Sequence, residues 1–447
     1  MNARHDELAA WDRHHVWHAF TQMQEYEPLL IERGEGSWLV DTEGNRYLDG
    51  SASMWCNVHG HRHPRLDAAL ATQLGKVAHT TNLGLSNPTT VELARRLVEI
   101  APPGLTKVFF SDDGSTAVEA ALKIAFQFWL QADPARPRRR TKFVAIGDAY
   151  HGDTLGAIGV GGVDRFTSMF LPLTFDAIRA PSPGAPHPAT GRLPSAAEAL
   201  AHLETVFAAH TGDIAAMVME PLVQAAGGIL VHPPGFLRGV RELTDRHDIL
   251  LILDEVAVGF GRTGTMFACE REGVSPDLLC LAKGLTAGYL PMAATVATDR
   301  VWAAFLGSHA DRRTFFHGHT YGGNPLAAAV ALESLNIFRD ERVLEHLPVK
   351  IARLAEHVAR LATLAHVGET RQCGLMAGLD LVAEKRSRSP YPRPEQRGMR
   401  ASLAARKHGA LLRPLADTVV LMPPLSITLD EIDHLAHAAG QGIREAT

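Results

Sequence analysis

Five short runs of mostly apolar residues punctuate the middle of this 447-residue chain: Lys107-Val-Phe-Phe110, Lys142-Phe-Val-Ala-Ile146, Ile214-Ala-Ala-Met-Val-Met219, Ile249-Leu-Leu-Ile-Leu253 and Asp277-Leu-Leu-Cys-Leu281. None shows the alternation of a half-buried strand, and helical patterns separate them. Continuous apolar strands alternating with helices predict an α/β fold with a mostly parallel sheet covered on both faces. The alternation spans about 61 to 330. Before it, Ser37-Trp-Leu-Val40 and Tyr47-Leu48, broken by Asp41-Thr-Glu-Gly44, read as a small β meander. After it, a helical stretch over Glu333 to Leu364 precedes short strands near Gly374 to Leu381 and Val419 to Met422, then a helix from Leu429. The expected division is a large domain over 59–332 and a small α+β domain over 333–447, with 1–58 as the N-terminal segment of the small one. Pro/Gly-rich Ala180 to Gly191 reads as a surface loop, because the strand pattern resumes beyond it.

Two of the runs end in polar groups that constrain function. Leu250-Leu-Ile-Leu-Asp254 delivers a carboxylate, and Leu278-Leu-Cys-Leu-Ala-Lys283 delivers an amine. A lysine and an aspartate at one edge of a buried sheet are what pyridoxal 5'-phosphate chemistry needs. The lysine attaches the cofactor covalently, and the aspartate keeps the pyridine nitrogen protonated.

Other strings converge on that edge. Phe110-Ser-Asp-Asp-Gly114-Ser115-Thr116 follows a strand and opens a helix whose buried face is expected to be Val118, Leu122, Ala125, Phe126 and Trp129. The helix start offers free amides, a positive dipole end and the Ser115 and Thr116 hydroxyls, a cradle for phosphate. Alone, a Gly-Ser helix start is an ordinary cap. Tyr150, in Ala149-Tyr-His-Gly152, can stack on a planar ring. In Asp254-Glu-Val-Ala-Val-Gly-Phe-Gly261-Arg-Thr-Gly264, Val256 is placed to pack on a ring face. His317-Gly318-His319-Thr320-Tyr-Gly-Gly-Asn324-Pro325 is a glycine-rich turn that could complete a phosphate site, or serve as a helix cap. Arg413 could fork onto a substrate carboxylate.

Composition narrows the classes. A net charge of −5 gives no nucleic-acid footprint, and Arg136-Pro-Arg-Arg-Arg140 reads as a solvated loop. Four cysteines, Cys56, Cys269, Cys280 and Cys373, have no CxxC spacing, so a cytoplasmic protein is expected. His59, His61 and His63 alternate in a turn without an obvious closed ligand set, so no metal is expected. The first ten residues lack the apolar core of a signal peptide, and no run approaches the roughly 20 apolar residues of a membrane helix.

Together these strings resemble the class III (ω-type) aminotransferases of pyridoxal phosphate fold type I, from about Trp17 to the C-terminus. Trp17-His-Ala-Phe20-Thr-Gln-Met23, Trp55-Cys-Asn-Val-His59-Gly60-His61 and Leu412-Arg-Pro-Leu-Ala-Asp-Thr-Val-Val-Leu-Met-Pro-Pro424 narrow the likeness to biotin-pathway members that transaminate 8-amino-7-oxononanoate to 7,8-diaminononanoate. The resemblance implies that Lys283 and Asp254 are catalytic. It implies cofactor contacts from Gly114, Ser115, Tyr150, Val256, His319 and Thr320, with Thr320 supplied across a homodimer. It implies substrate contacts from Phe20, Met54, Trp55, Tyr150 and Gly318, with Arg413 on the acceptor carboxylate. Members using S-adenosylmethionine as donor often carry paired tryptophans where this chain has Met54-Trp55, and a tyrosine where it has Phe20. S-adenosylmethionine leads as the expected donor, lysine is the alternative, and another class III ω-aminotransferase activity is a third reading.

Overall fold

The computed structural model describes residues 3–132, 140–187 and 190–447. The basic run at 136–139 lies outside them. A seven-stranded sheet organises the middle of the chain. In spatial order its strands are Leu105–Ser111, Ala293–Thr298, Leu278–Leu281, Leu250–Asp254, Ile214–Met219, Lys142–Ile146 and Ile178–Ala180. Only Ala293–Thr298 runs against its neighbours. Strands 214–219, 250–254 and 278–281 are buried at every position, which is why their sequences show no alternation.

Two of the seven strands were not foreseen. Ile178–Ala180 is a three-residue edge strand, too short for a pattern. Ala293-Ala-Thr-Val-Ala-Thr298 has three alanines, which are depleted in strands, and it forms because both neighbours pair with it. The helix Gly114–Ala132 buries Val118, Leu122, Ala125 and Trp129 as expected. Phe126 does not join them and is 37% exposed. At 3.6 residues per turn it lies roughly 80° from Val118 around the axis.

The expected N-terminal meander is present, with antiparallel strands Ile31–Glu35, Trp38–Asp41 and Arg46–Asp49. Its last strand also pairs in parallel with Ala410–Leu411, in the register Leu48↔Ala410 and Asp49↔Leu411. Glu431, in the terminal helix Leu429–Ala446, accepts from Trp38 Nε1 at 2.7 Å and from Ser37 Oγ at 3.1 Å. The two ends of the chain therefore form one unit, and Arg413 follows a strand bonded to the strand that precedes Trp55. The helices Pro325–Asp340 and Val343–Leu361 and the strands Met376–Glu384 and Thr418–Leu421 match the C-terminal expectation, and Val367–Cys373 and the helix Arg397–Lys407 add to it.

Beyond Asp49 the backbone does something that side-chain patterns do not announce. Ala52, Ser53, Met54 and Trp55 have φ of 46°, 45°, 71° and 70°, a left-handed turn built without glycine. Such a conformation costs about 1–2 kcal/mol per residue. Asp49 anchors it. Its buried carboxylate accepts from Ser53 Oγ at 2.8 Å, His61 Nε2 at 3.0 Å and the Ser51 amide at 3.3 Å. Asn57 Nδ2 lies 3.2 Å from His61 Nδ1, which assigns the ring proton to Nε2. Burial alone would raise the Asp49 pKa. The bonds from His61 and Ser53 outweigh it and hold the carboxyl below its ordinary value.

Asp49→Asn should lower unfolding free energy by about 1.5–3 kcal/mol, the worth of hydrogen bonds to a charged group. Because the folded pKa is depressed, the charge contributes above the ordinary carboxylate range and stops contributing as pH falls through the folded value. The gap between wild type and variant, read from urea midpoints, should therefore shrink in acid. Equal midpoints at neutral pH would show that Asp49 does not hold the turn.

Candidate active site

Asp254 ends its strand in register with Cys280, and the Glu255 amide donates to the Cys280 carbonyl at 2.9 Å. The carboxylate thus stands one strand away from the chain entering Lys283. It is 4% exposed. Its Oδ1 accepts from the Val256 amide at 3.0 Å, and its Oδ2 lies 2.7 Å from Nδ1 of the buried His151. Burial pushes the His151 pKa down, but its hydrogen bond to Asp254 and the charges of Asp254 and Glu220 carry it above the ordinary value. Nδ1 therefore donates to the Asp254 carboxylate, and Nε2 is buried without a partner among the described residues. Glu220 completes the group. It accepts from the amides of Tyr150 at 3.1 Å and Ala225 at 2.8 Å, and burial pushes its pKa up to about 7.

Lys283 sits past the end of Leu278–Leu281 with φ 46°, a strained conformation for a lysine. Its ammonium lies 5.0 Å from the centroid of the Trp55 ring. Burial lowers its pKa below the usual lysine value. The Arg262 charge acts in the same direction, while Asp254, Cys56 and Glu220 oppose it. Arg262 is itself buried, and among the described residues its guanidinium donates to the carbonyls of Pro423 and Asn57. The strained turn at 52–55 thus has a consequence at the site: it sets an indole against the amine. Trp55 is 8% exposed, whereas Met54 beside it is exposed.

Gly114 and Ser115 open the helix expected to cradle phosphate. A Cβ at Gly114 would come within 2.6 Å of Val256 Cγ1, so only glycine lets the helix start approach Val256. Gly152 has φ 121°, and a Cβ there would meet Ser115 Oγ at 1.9 Å. The Ser115 hydroxyl accepts from the Asp153 amide at 3.3 Å. Among the described residues nothing accepts from the Gly114 and Ser115 amides, and the buried Ser111 hydroxyl has no partner. The Thr116 hydroxyl, expected to face a ligand, instead accepts from the Asp112 and Asp113 amides and donates to the Asp113 carbonyl. It caps its own helix.

An aromatic row leads away from this edge. Tyr150 meets Phe166 edge-on at 5.7 Å, and Phe166 meets Phe20 edge-on at 5.3 Å. The Arg413 guanidinium lies 5.9 Å from the Phe20 ring centroid, and that of Arg165 lies 4.6 Å from the Phe166 ring centroid. Tyr150 also donates its hydroxyl to Asp153 at 2.7 Å. Direct contacts therefore link Gly114 with Val256, and Tyr150 with Phe20 and Arg413 through Phe166.

The 317–321 turn packs against the start of the Gly114–Ala132 helix. His319 Nδ1 lies 3.2 Å from Asp112 Oδ2, and Gly318 lies against Leu83. Thr320 is exposed and makes no side-chain hydrogen bond among the described residues. Asn324 caps Pro325–Asp340, accepting from the Leu326 amide at 2.9 Å. His59 pairs with Ser334 at 3.0 Å, and His61 with Asp49.

Sequence reasoning passed over His151, Glu220, Asp153, Arg165 and Phe166. Glu220 directly follows the strand Ile214–Met219, the same polar-after-strand signal that singled out Asp254. His151 adjoins Tyr150 in a string already recognised. Nothing in the sequence distinguishes Phe166 or Arg165.

Similarity to known proteins agrees with this arrangement. The family model "Aminotransferase class-III" matches residues 20–441. The chain is 53% identical over 446 residues to the adenosylmethionine-8-amino-7-oxononanoate aminotransferase of Geobacter sulfurreducens, covering 98% of each chain. The crystal structure of the enzyme of that name from Methanocaldococcus jannaschii superposes with a TM-score of 0.93 at 40% identity, covering 99% of each. The ω-transaminase of Pseudomonas jessenii in complex with PMP gives a TM-score of 0.92 at 30% identity, covering 98% of each. The fold is accordingly that of the fold type I pyridoxal phosphate enzymes, as the family resemblance implied. A buried Asp254–His151 pair beside a lysine of lowered pKa, carried on this sheet, makes chemical sense of that likeness: the chain belongs to the class III aminotransferases.

Proposed function

We propose that this chain transfers an amino group to 8-amino-7-oxononanoate, giving 7,8-diaminononanoate for biotin synthesis, with S-adenosylmethionine as donor. The observation that carries the chemistry is the Asp254–His151 pair set one strand from Lys283. The substrate reading is supported by the names of the relatives and by Arg413, which has no carboxylate partner among the described residues.

The residues present fit pyridoxal 5'-phosphate. Ser111 is an orphaned buried hydroxyl beside two free helix-start amides, a donor set for phosphate. Asp254 is a buried anion suited to a protonated ring nitrogen. When bound, the cofactor acts as an electron sink that makes the substrate Cα–H acidic. Lys283 would anchor it covalently and, once displaced by substrate, move the proton with its Nζ. A lowered pKa makes that amine a readier base than an ordinary lysine. His151 would hold Asp254 in place and in its charged form. Val256 and Tyr150 would bound the ring, and Gly114, Ser115 and His319 the phosphate side. Phe20, Met54, Trp55 and Gly318 would line the substrate path, with Arg413 on the acceptor carboxylate. Donor and acceptor would use the site in turn.

We also propose a homodimer in which Thr320 completes the phosphate site of the other copy. It is supported by the apolar surface around the turn, where Leu83, Phe316 and Tyr321 are 69%, 78% and 62% exposed. The division at 58 and 332 is supported by the sheet shared between the two ends of the chain. Cytoplasmic placement is supported by four unpaired cysteines. No helix among the described residues is long and apolar enough to cross a membrane.

Mixing cofactor-loaded enzyme separately with S-adenosylmethionine and with lysine should convert the lysine-linked cofactor to its amine form with the former. Adding 8-amino-7-oxononanoate should then restore the original absorbance. Conversion by lysine alone would reassign the donor, and failure of the acceptor to restore the spectrum would remove the biotin assignment. Lys283→Ala should cut turnover by more than about 100-fold, the lower range for losing a positioned proton carrier. Substantial residual turnover would reject Lys283 as the catalytic amine.

A further inference from the structure

A cavity of about 180 Å³ opens beside the first turns of the helix Val343–Leu361, and none of its lining residues has a role in the function just described. Val343, His346 and Lys350 face it from one side of the helix, at spacings i, i+3 and i+7. Glu341 borders it from just before the helix, Leu425 and Ser426 from the C-terminal lobe, and His59 from the turn that follows Trp55.

Several donors around the cavity have no acceptor. The helix lacks a side-chain cap: Arg342, at the N-cap with φ 49°, turns its guanidinium to Glu345. Among the described residues nothing accepts from the Val343 and Leu344 amides. Such a start presents free N–H groups and the positive end of the helix dipole. Lys350 donates to the Leu425 carbonyl at 2.7 Å and has no carboxylate partner among the described residues, so its other N–H donors are free. Desolvation lowers its pKa. The charge of Glu431 opposes that shift, but its carboxylate is already held by Trp38 and Ser37.

Independently of the helix start, His59 also lacks a partner. It is 7% exposed and uses Nε2 on Ser334 at 3.0 Å, which leaves Nδ1 without a hydrogen bond among the described residues. Burial, together with the charges of His63 and Arg65, lowers its pKa to about 3, so the ring is a neutral group in a positive field. Glu341 is the one acid in the lining, and it is drawn off to His63 at 3.5 Å and Arg65 at 3.8 Å.

Size and donor type decide what fits. The volume is below the roughly 300 Å³ at which pockets begin to hold drug-sized ligands. No arginine lines the cavity, so the planar fork that matches a carboxylate is missing. An ammonium and helix-start amides instead offer separate donors, as around a phosphate. We propose that this cavity binds a small tetrahedral oxyanion of the phosphate class, held by the Val343 and Leu344 amides, Lys350 Nζ and His59, with His346 and Ser426 at its rim. Its occupant would brace the junction behind Arg262. Lys350 fastens the Leu425 carbonyl, the Ser426 amide donates to the Val58 carbonyl at 3.1 Å, and Arg262 donates to the Pro423 and Asn57 carbonyls.

The test is a calorimetric titration of inorganic phosphate into cofactor-loaded enzyme, so that the cradle at Ser111 and Gly114 is already filled. Ionic strength is held constant with chloride. Saturable binding of one phosphate per chain is expected, with sulfate competing and acetate not competing. Lys350→Met should weaken it by about 10- to 100-fold, the range for losing a charge-assisted bond. Ser426 is exposed, and Ser426→Asp should weaken binding by about fivefold, the size of one like-charge contact in water. This variant carries the test if Lys350→Met does not fold. Glu341→Gln removes the opposing charge and should tighten binding by a similar factor. Absence of saturable binding would overturn the proposal. So would binding that Lys350→Met and Ser426→Asp leave unchanged, because the phosphate would then lie elsewhere.

Discussion

The bond between Asp254 and His151 fixes the chemistry of the sheet edge. A carboxylate so deeply buried needs something nearby to satisfy its oxygens in place of water. His151 does so from 2.7 Å, and the Val256 amide adds a second bond. The pair is not isolated, because Glu220 lies close enough to raise the His151 pKa and in turn holds the Tyr150 and Ala225 amides. One carboxyl group thereby ties together the backbone at Tyr150 and at Ala225.

The second constraint is backbone strain gathered at the site. Lys283 and the four residues Ala52 to Trp55 all adopt positive φ. Each costs free energy in isolation, and each persists because its surroundings over-determine it. Asp49 supplies three bonds to the 49–61 segment, and the strand holding Asp49 is fastened on its other side to Ala410–Leu411. The same small sheet that aims Trp55 at Lys283 also fixes where Arg413 begins. Trp55 and Arg413, from opposite ends of the chain, are thus positioned by one sheet.

The fold was legible where burial is two-sided. Ile214–Met219 and Lys142–Ile146 carry their strand assignment in composition, and Asp254 and Lys283 stand at strand ends where polar residues are conspicuous. Legibility failed where tertiary pairing overrides local preference, as in the alanine-rich strand Ala293–Thr298. It failed again for side chains whose role is set by a neighbour distant in sequence. His151 finds its carboxylate partner 103 positions away. Thr116 reads as a ligand hydroxyl until the geometry shows it capping its own helix. No period or motif marks the row Phe20–Phe166–Tyr150, because it joins three separate segments.

The role given to Asp254 is best tested at the ring nitrogen itself. Enzyme loaded with 15N-labelled pyridoxal phosphate would be compared by NMR between wild type and Asp254→Asn, with turnover measured on the same samples. The expected result is a protonated nitrogen in the wild type, an unprotonated one in the variant, and turnover lower by more than about 100-fold, since a buried ion-pair partner of the ring is lost. A nitrogen that stays protonated in Asp254→Asn, with turnover little changed, would contradict the central place of the Asp254–His151 pair.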